Sequence, residues 1–144
     1  MIAIASDHAG YALKQTLIEH LTAKGVGIED LGCDGKPVDY PIYAEKLCTA
    51  VAAGRYERGI LVCGTGIGMS IAANKIPGIR AALCGDCFSA AMSRQHNDAN
   101  VLCLGGRVVG AELAKMIVDT YLSNGFSNGE SHIRRIGMLK ELEK

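Results

Sequence analysis

Cys63 stands directly before three alternating glycines, in the run Cys63-Gly64-Thr65-Gly66-Ile67-Gly68. Glycine gives up more backbone entropy on ordering than any other residue, so three within six positions need a physical reason. The run joins an apolar stretch, GILVC (59–63), to a helical pattern that begins near Gly68. A loop of this kind aims consecutive backbone N–H groups at one spot, and the amino end of the following helix adds partial positive charge. An anion suits that spot: a bound phosphate, or an oxyanion that exists only during reaction. The spacing is neither that of a Walker loop nor the G-x-G-x-x-G of a dinucleotide site. Close packing of a helix on a sheet is the competing reading of the same glycines.

Cys63 narrows the choice of chemistry. At the last position of a strand, facing a helix amino end, a thiol meets the field that favours thiolates. It then serves as a base or a nucleophile; the alternative is a small buried core residue, which is the reading adopted for Cys33, Cys48 and Cys103. Cys84-Gly-Asp-Cys87 is a second thiol signal, since C-x-x-C between a strand and a helix is used by thioredoxin-like proteins. Here it follows the fourth strand and has no nearby proline, which favours incidental spacing. No metal site is expected, because two further ligands at matching spacing are missing.

These groups need a scaffold, and the chain supplies alternating strand and helix patterns. Strands are expected at 2–6, 27–32, 59–63, 80–84 and 101–106. Between them, 11–25 carries Leu13, Leu17 and Leu21 on one face and ends at Gly25, and Pro41 opens a helix bearing Ala44, Leu47, Cys48 and Val51. Asp86 is placed to cap a fourth helix, and 111–122 forms a fifth. Near-continuous apolar strands alternating with helices imply a parallel sheet covered on both faces. The expected architecture is one doubly wound, Rossmann-like α/β domain over 1–144, with a five-stranded parallel sheet and an extra C-terminal helix. That helix, 131–144, carries Ile133, Ile136, Leu139 and Leu142 and has no place left in the core, so a second subunit is its expected partner.

Ligands of open parallel sheets bind beyond the carboxyl ends of the strands. The rule collects Asp7 and His8 after the first strand, Cys63 and its loop after the third, Cys84-Gly85-Asp86 after the fourth, and Gly105-Gly106-Arg107 after the fifth. His96 and Asn97, at the end of the helix before the fifth strand, are expected to fold over the same rim.

Composition excludes several classes. With 15 basic and 15 acidic residues the chain has no basic excess for nucleic acid, and no apolar run approaches a membrane span. No signal peptide is recognised, so the expected location is cytoplasmic and the six cysteines read as free thiols. No Trp, two Phe and five Tyr count mildly against a flavin.

SDHAG (6–10), DYP (39–41), CGTGIGMSIAANK (63–75), RQHNDANVLCLGGRVVG (94–110) and HIRR (132–135) together resemble the type B ribose-5-phosphate isomerases. That family includes isomerases of allose and galactose 6-phosphates. The resemblance runs end to end and implies an aldose–ketose isomerase acting on a sugar phosphate without metal or cofactor. A six-carbon substrate is the alternative, and a thiol redox protein using Cys84 and Cys87 a more distant one. By similarity Cys63 is the base that moves a proton between C2 and C1; where some relatives use a glutamate, this chain has Met69. The backbone of Gly64, Gly66, Ile67 and Gly68 would hold the enediolate oxygen. His96, with Thr65 and Asp7, resembles the group that opens the furanose ring. Asp7, Tyr40 and Asn97 resemble sugar-hydroxyl ligands, and His8, Arg107 and Arg135 resemble phosphate ligands. The family's second arginine is replaced by Ser131, which leaves the preferred sugar open. The resemblance further implies a homodimer, or a dimer of dimers, with shared sites.

Overall fold

Runs rich in Ile, Val, Leu, Ala and Cys become the three central strands, because side chains covered on both faces need no polar alternation, and two shorter, more exposed runs form the edges. In the computed structural model, which describes residues 1–143, the strands are β1 (Ile2–Ser6), β2 (Ile28–Asp30), β3 (Arg58–Cys63), β4 (Ala81–Leu83) and β5 (Val101–Gly105). The helices are α1 (Tyr11–Ala23), α2 (Tyr40–Ala52), α3 (Ile67–Ala73), α4 (Cys87–Gln95), α5 (Ala111–Ser123) and α6 (Glu130–Glu141). All pairings are parallel, in the order β2-β1-β3-β5-β4. β2 and β4 are three-residue edge strands, shorter than their apolar runs suggest.

Alternation along each strand divides the core into two layers. Ile2, Ile4, Ile60, Val62, Leu102 and Leu104 pack with Leu13, Leu17 and Leu21 of α1 and Ile117, Val118 and Tyr121 of α5. On the other face Ala3, Ala5, Leu61, Cys63 and Cys103 meet Ala44, Leu47, Cys48 and Val51 of α2 and Met69 and Ala73 of α3. The expected stripes on α1 and α2 are therefore the buried ones. Asp86 caps α4 as expected, its carboxylate accepting from the Ser89 amide at 2.7 Å and from the Ser89 hydroxyl at 2.8 Å. These bonds hold the Asp86 carboxyl below the usual carboxylate range.

Strand order fixes where a ligand belongs. From β1 the chain steps to β2 on one side and then crosses to β3 on the other, so connections diverge between β1 and β3. The crevice at such a switch point lies at the carboxyl ends of these two strands, where Asp7-His8 and Cys63-Gly64 emerge. α6 stands apart: none of its side chains is buried, and Ile133, Met138, Leu139 and, just beyond its end, Leu142 are all exposed.

Candidate active site

Cys63 ends β3 with its Sγ beneath the glycine loop, where the Gly66 N–H donates to it at 3.1 Å. An N–H donated to sulfur accommodates negative charge on it. The thiol is only 4 % exposed. The next amide, of Ile67, turns to the Thr65 hydroxyl at 3.3 Å. Thr65 itself is exposed on the outer side of the loop.

The three glycines have three separate reasons. Gly66 has φ +78°, and a methyl group there would lie 2.5 Å from Leu83 Cδ1 and 2.8 Å from the Leu104 carbonyl carbon. Its glycine is set by the turn and by close approach to β5. Gly68 lies under the Tyr40 ring, where a methyl group would come within 2.6 Å of Cζ. Only Gly64 has ordinary room, with Arg107 Nη1 and Ala9 Cβ at 3.5 and 3.6 Å from the position a Cβ would take. Two of the three glycines are thus required by packing, the competing reading of the run.

Asp7 is 7 % exposed, and its Oδ1 accepts the Gly10 amide at 3.0 Å, steadying the entry to α1. His8 follows on the exposed rim, its Nδ1 accepting from the Val38 amide at 3.2 Å. The Arg107 amide donates to the Gly64 carbonyl at 2.9 Å, which brings β5's exit loop against the glycine loop. The Arg107 side chain is exposed and forms no salt bridge among the described residues. Asp7, His8, Tyr40, Cys63, the 64–68 loop and Arg107 therefore share one rim of the sheet.

His96 and Asn97 do not join them. α4 is a crossover from β4 to β5, so its end returns to the amino ends of the strands. Arg80, directly before β4, donates to the carbonyls of Asn97 and Asp98 at 3.0 and 2.9 Å. Val101 at the start of β5 is paired with Gly59, four residues before Cys63. At about 3.3 Å per residue the two groups are separated by about 13 Å of strand before the loops are counted. The expected common rim is corrected accordingly. What His96 does meet is His132 of α6, with rings stacked at 4.3 Å and 8° apart. Burial, then His96 and then Arg135 hold His132 below the ordinary imidazole range, which places Arg135 beside this second cluster. The sequence assigns no role to His132, and nothing in its spacing reveals the stack.

A cavity of about 770 Å³ also lies on this far side, lined by residues of 74–82, Asn97 and the Leu139–Glu143 end of α6. It does not reach Cys63. Of the C-x-x-C pair, Cys84 is buried, and that burial pushes its thiol up to about 11, so it is a poor thiolate at neutral pH. No group of three or more His, Cys, Asp or Glu suited to a metal ion occurs among the described residues. None of their helices is long and apolar enough to cross a membrane.

Comparison with known proteins adds a second line of observation. Residues 2–139 match the family model described as Ribose/Galactose Isomerase. The chain is 49 % identical to ribose-5-phosphate isomerase B of Escherichia coli, over 99 % of this chain and 96 % of that protein. It is 45 % identical to the D-erythrulose-4-phosphate isomerase of Pectobacterium atrosepticum, over 99 % and 97 %. The solved ribose-5-phosphate isomerase B of Clostridium thermocellum superposes with a TM-score of 0.96 at 50 % identity, covering 99 % of this chain and 96 % of that one.

Proposed function

This chain belongs to the ribose/galactose isomerase family, and on that premise we infer that it interconverts ribose 5-phosphate and ribulose 5-phosphate as an aldose–ketose isomerase. The chemistry is a proton relay that balances within the substrate. The Cys63 thiolate removes the C2 proton of the open aldose, the C=O electrons move onto O1, and an enediolate forms. The same thiol returns that proton to C1 while the O2 proton passes to O1, which leaves the ketose. One observation carries this assignment: the Cys63 sulfur lies under the Gly66 amide at the β1–β3 switch point, with the Arg107 side chain set against Gly64. Met69, fully buried in the core, offers no alternative base.

The remaining roles follow from position. Backbone amides of the 64–68 loop stabilise the developing oxyanion, an interaction that strengthens only as charge appears. Asp7 and Tyr40 bind sugar hydroxyls, and His8 and Arg107 hold the phosphate. His96 opens the furanose ring, Asn97 binds a hydroxyl and Arg135 adds a phosphate contact, but these three come from a second copy of the chain. Support for that division is the sheet length between the clusters and the exposed apolar face of α6, with Ile133 53 % and Leu142 80 % accessible. The working unit is a homodimer with two reciprocal sites, each built from opposite rims of the two chains. The Pectobacterium relative is named for D-erythrulose 4-phosphate, a shorter sugar, so chain length is a property to be assayed.

The direct test is Cys63→Ala. The variant should bind ribose 5-phosphate close to normally while exchange of the C2 proton with solvent is lost. Retained exchange would remove Cys63 from the base role. Assay of the parent enzyme on four-, five- and six-carbon aldose phosphates ranks the substrates.

A further inference from the structure

We propose that Lys14 and the backbone amide of Val38 are positioning groups for His8, fixing its imidazole with the proton on Nε2 so that this edge donates to the phosphate end of the substrate. The proposal rests on the reading of His8 as a phosphate ligand. The Val38 N–H donates to His8 Nδ1 at 3.2 Å. A ring nitrogen that accepts carries no proton, so the proton of the neutral ring sits on Nε2, at the opposite edge. An imidazolium, with N–H on both nitrogens, has no acceptor to offer Val38. One backbone amide thereby selects both the tautomer and the rotation of the ring.

That amide belongs to the 31–39 segment between β2 and α2, and the segment is held along its length. Lys14, on α1, is completely buried; its Nζ donates to Asp30 Oδ1 at 2.8 Å and to the Cys33 carbonyl at 2.6 Å. Ser6 N donates to the Gly32 carbonyl at 2.8 Å and Cys33 N to the Ser6 carbonyl at 3.0 Å, two residues before His8. Lys46 Nζ donates to the Leu31 carbonyl at 2.9 Å. Gly35, at φ +97°, lies over the Tyr11 ring. At the far end the chain enters α2 at Tyr40, whose ring covers Gly68. The Val38 N–H is thus set over His8 from both sides.

Lys14 is the unusual member of this arrangement. Buried lysines are rare, and a well-packed apolar residue at such a site is often neutral or stabilising. Packing of α1 on the sheet does not need an ammonium. What an apolar residue lacks is the grip on Asp30 and the Cys33 carbonyl, that is, on the segment that orients His8.

The test combines ¹⁵N-histidine NMR of the full chain with kinetics, using inorganic phosphate as the probe. In the parent protein His8 should carry its proton on Nε2 alone, and added phosphate should shift that nitrogen. In Lys14→Met both tautomers should appear. The KM for ribose 5-phosphate and the inhibition constant of inorganic phosphate should rise together by about five- to tenfold, as for loss of one ordinary hydrogen bond, while kcat stays within about twofold. Replacing Val38 by its α-hydroxy acid, which deletes only the N–H, should do the same and decides the matter if Lys14→Met does not fold. A proton on Nδ1 or mixed tautomers in the parent protein overturns the proposal. So does an unchanged tautomer and phosphate constant in the variants. If the parent turned over no aldose phosphate, the isomerase reading would fail, while the tautomer and phosphate measurements would still decide the role of His8.

Discussion

Mixing two inactive variants tests the division of the site between chains. In the proposed mechanism Cys63→Ala removes the carbon base and His96→Ala the ring-opening group, a class of residue whose loss costs about 10²- to 10⁴-fold in rate. Along the strands at least about 13 Å separates the two positions within one chain, and they face opposite rims. The proposed two-fold dimer would bring the carboxyl rim of one copy to the amino rim of the other. Each site of either parent variant then carries one lesion, and both proteins are nearly dead. Equal mixing through unfolding and refolding gives about one half mixed dimers; in each, one site carries both lesions and the other carries none. The mixture should recover about one quarter of wild-type turnover. Native mass spectrometry measures the mixed fraction, and a coupled assay of ribulose 5-phosphate measures the rate. If mixed dimers form in that proportion and activity stays at the level of the parents, then Cys63 and His96 act within the same chain and the shared-site reasoning is wrong.

Other predictions follow from single contacts. Gly66→Ala forces a Cβ into the left-handed region and against Leu83 and the β5 backbone, which should cost about 2–4 kcal/mol and lower Tm by roughly 6–12 °C in calorimetry. An unchanged Tm would mean the loop has another conformation open to it. For Asp119, burial raises the carboxyl, but hydrogen bonds from Lys24 and His20 outweigh it and hold the group below its ordinary range. The sign follows from linkage: its stabilisation is present above the unfolded value of about 4 and is lost as pH falls through the depressed folded value. Asp119→Asn should therefore be less stable near neutrality and lose less stability on acidification, read as urea midpoints between about pH 5 and about pH 2. Parallel curves for variant and parent would remove Asp119 from the acid limb.

Much of the fold is legible in the chain, and the reason is periodicity. Leu13, Leu17 and Leu21, or Ala44, Leu47, Cys48 and Val51, recur at helical spacing because one face of each helix must be apolar, and those faces are buried. The placing of Asp7, His8 and Cys63 on one rim follows from strand direction alone. His96 is misleading in the sequence because its closeness to β5 along the chain suggests closeness to the carboxyl end of that strand. A crossover helix runs back against its strands, so its last residues lie at the amino end. Lys14 is illegible for another reason: on α1 it reads as a polar residue, and its partners Asp30 and the Cys33 carbonyl lie far along the chain.

The glycine loop shows why a motif and its chemistry are not the same thing. Gly66 is fixed by its backbone angle and by β5, and Gly68 by the Tyr40 ring; both would be required had the loop never met an anion. Neither glycine therefore identifies a reaction. The discriminating features are the sulfur taking the Gly66 amide and the Arg107 side chain laid against Gly64, neither of which is needed to pack α3 on the sheet. Cys63 is only 4 % exposed, and the cavity of about 770 Å³ on the far rim does not reach it. In the proposed dimer the rim carrying His96, His132 and Arg135 would be the surface that closes over Gly64 and Arg107. The same proposal would account for α6, whose apolar residues have no buried position in their own chain but lie beside the cluster that a second chain would receive.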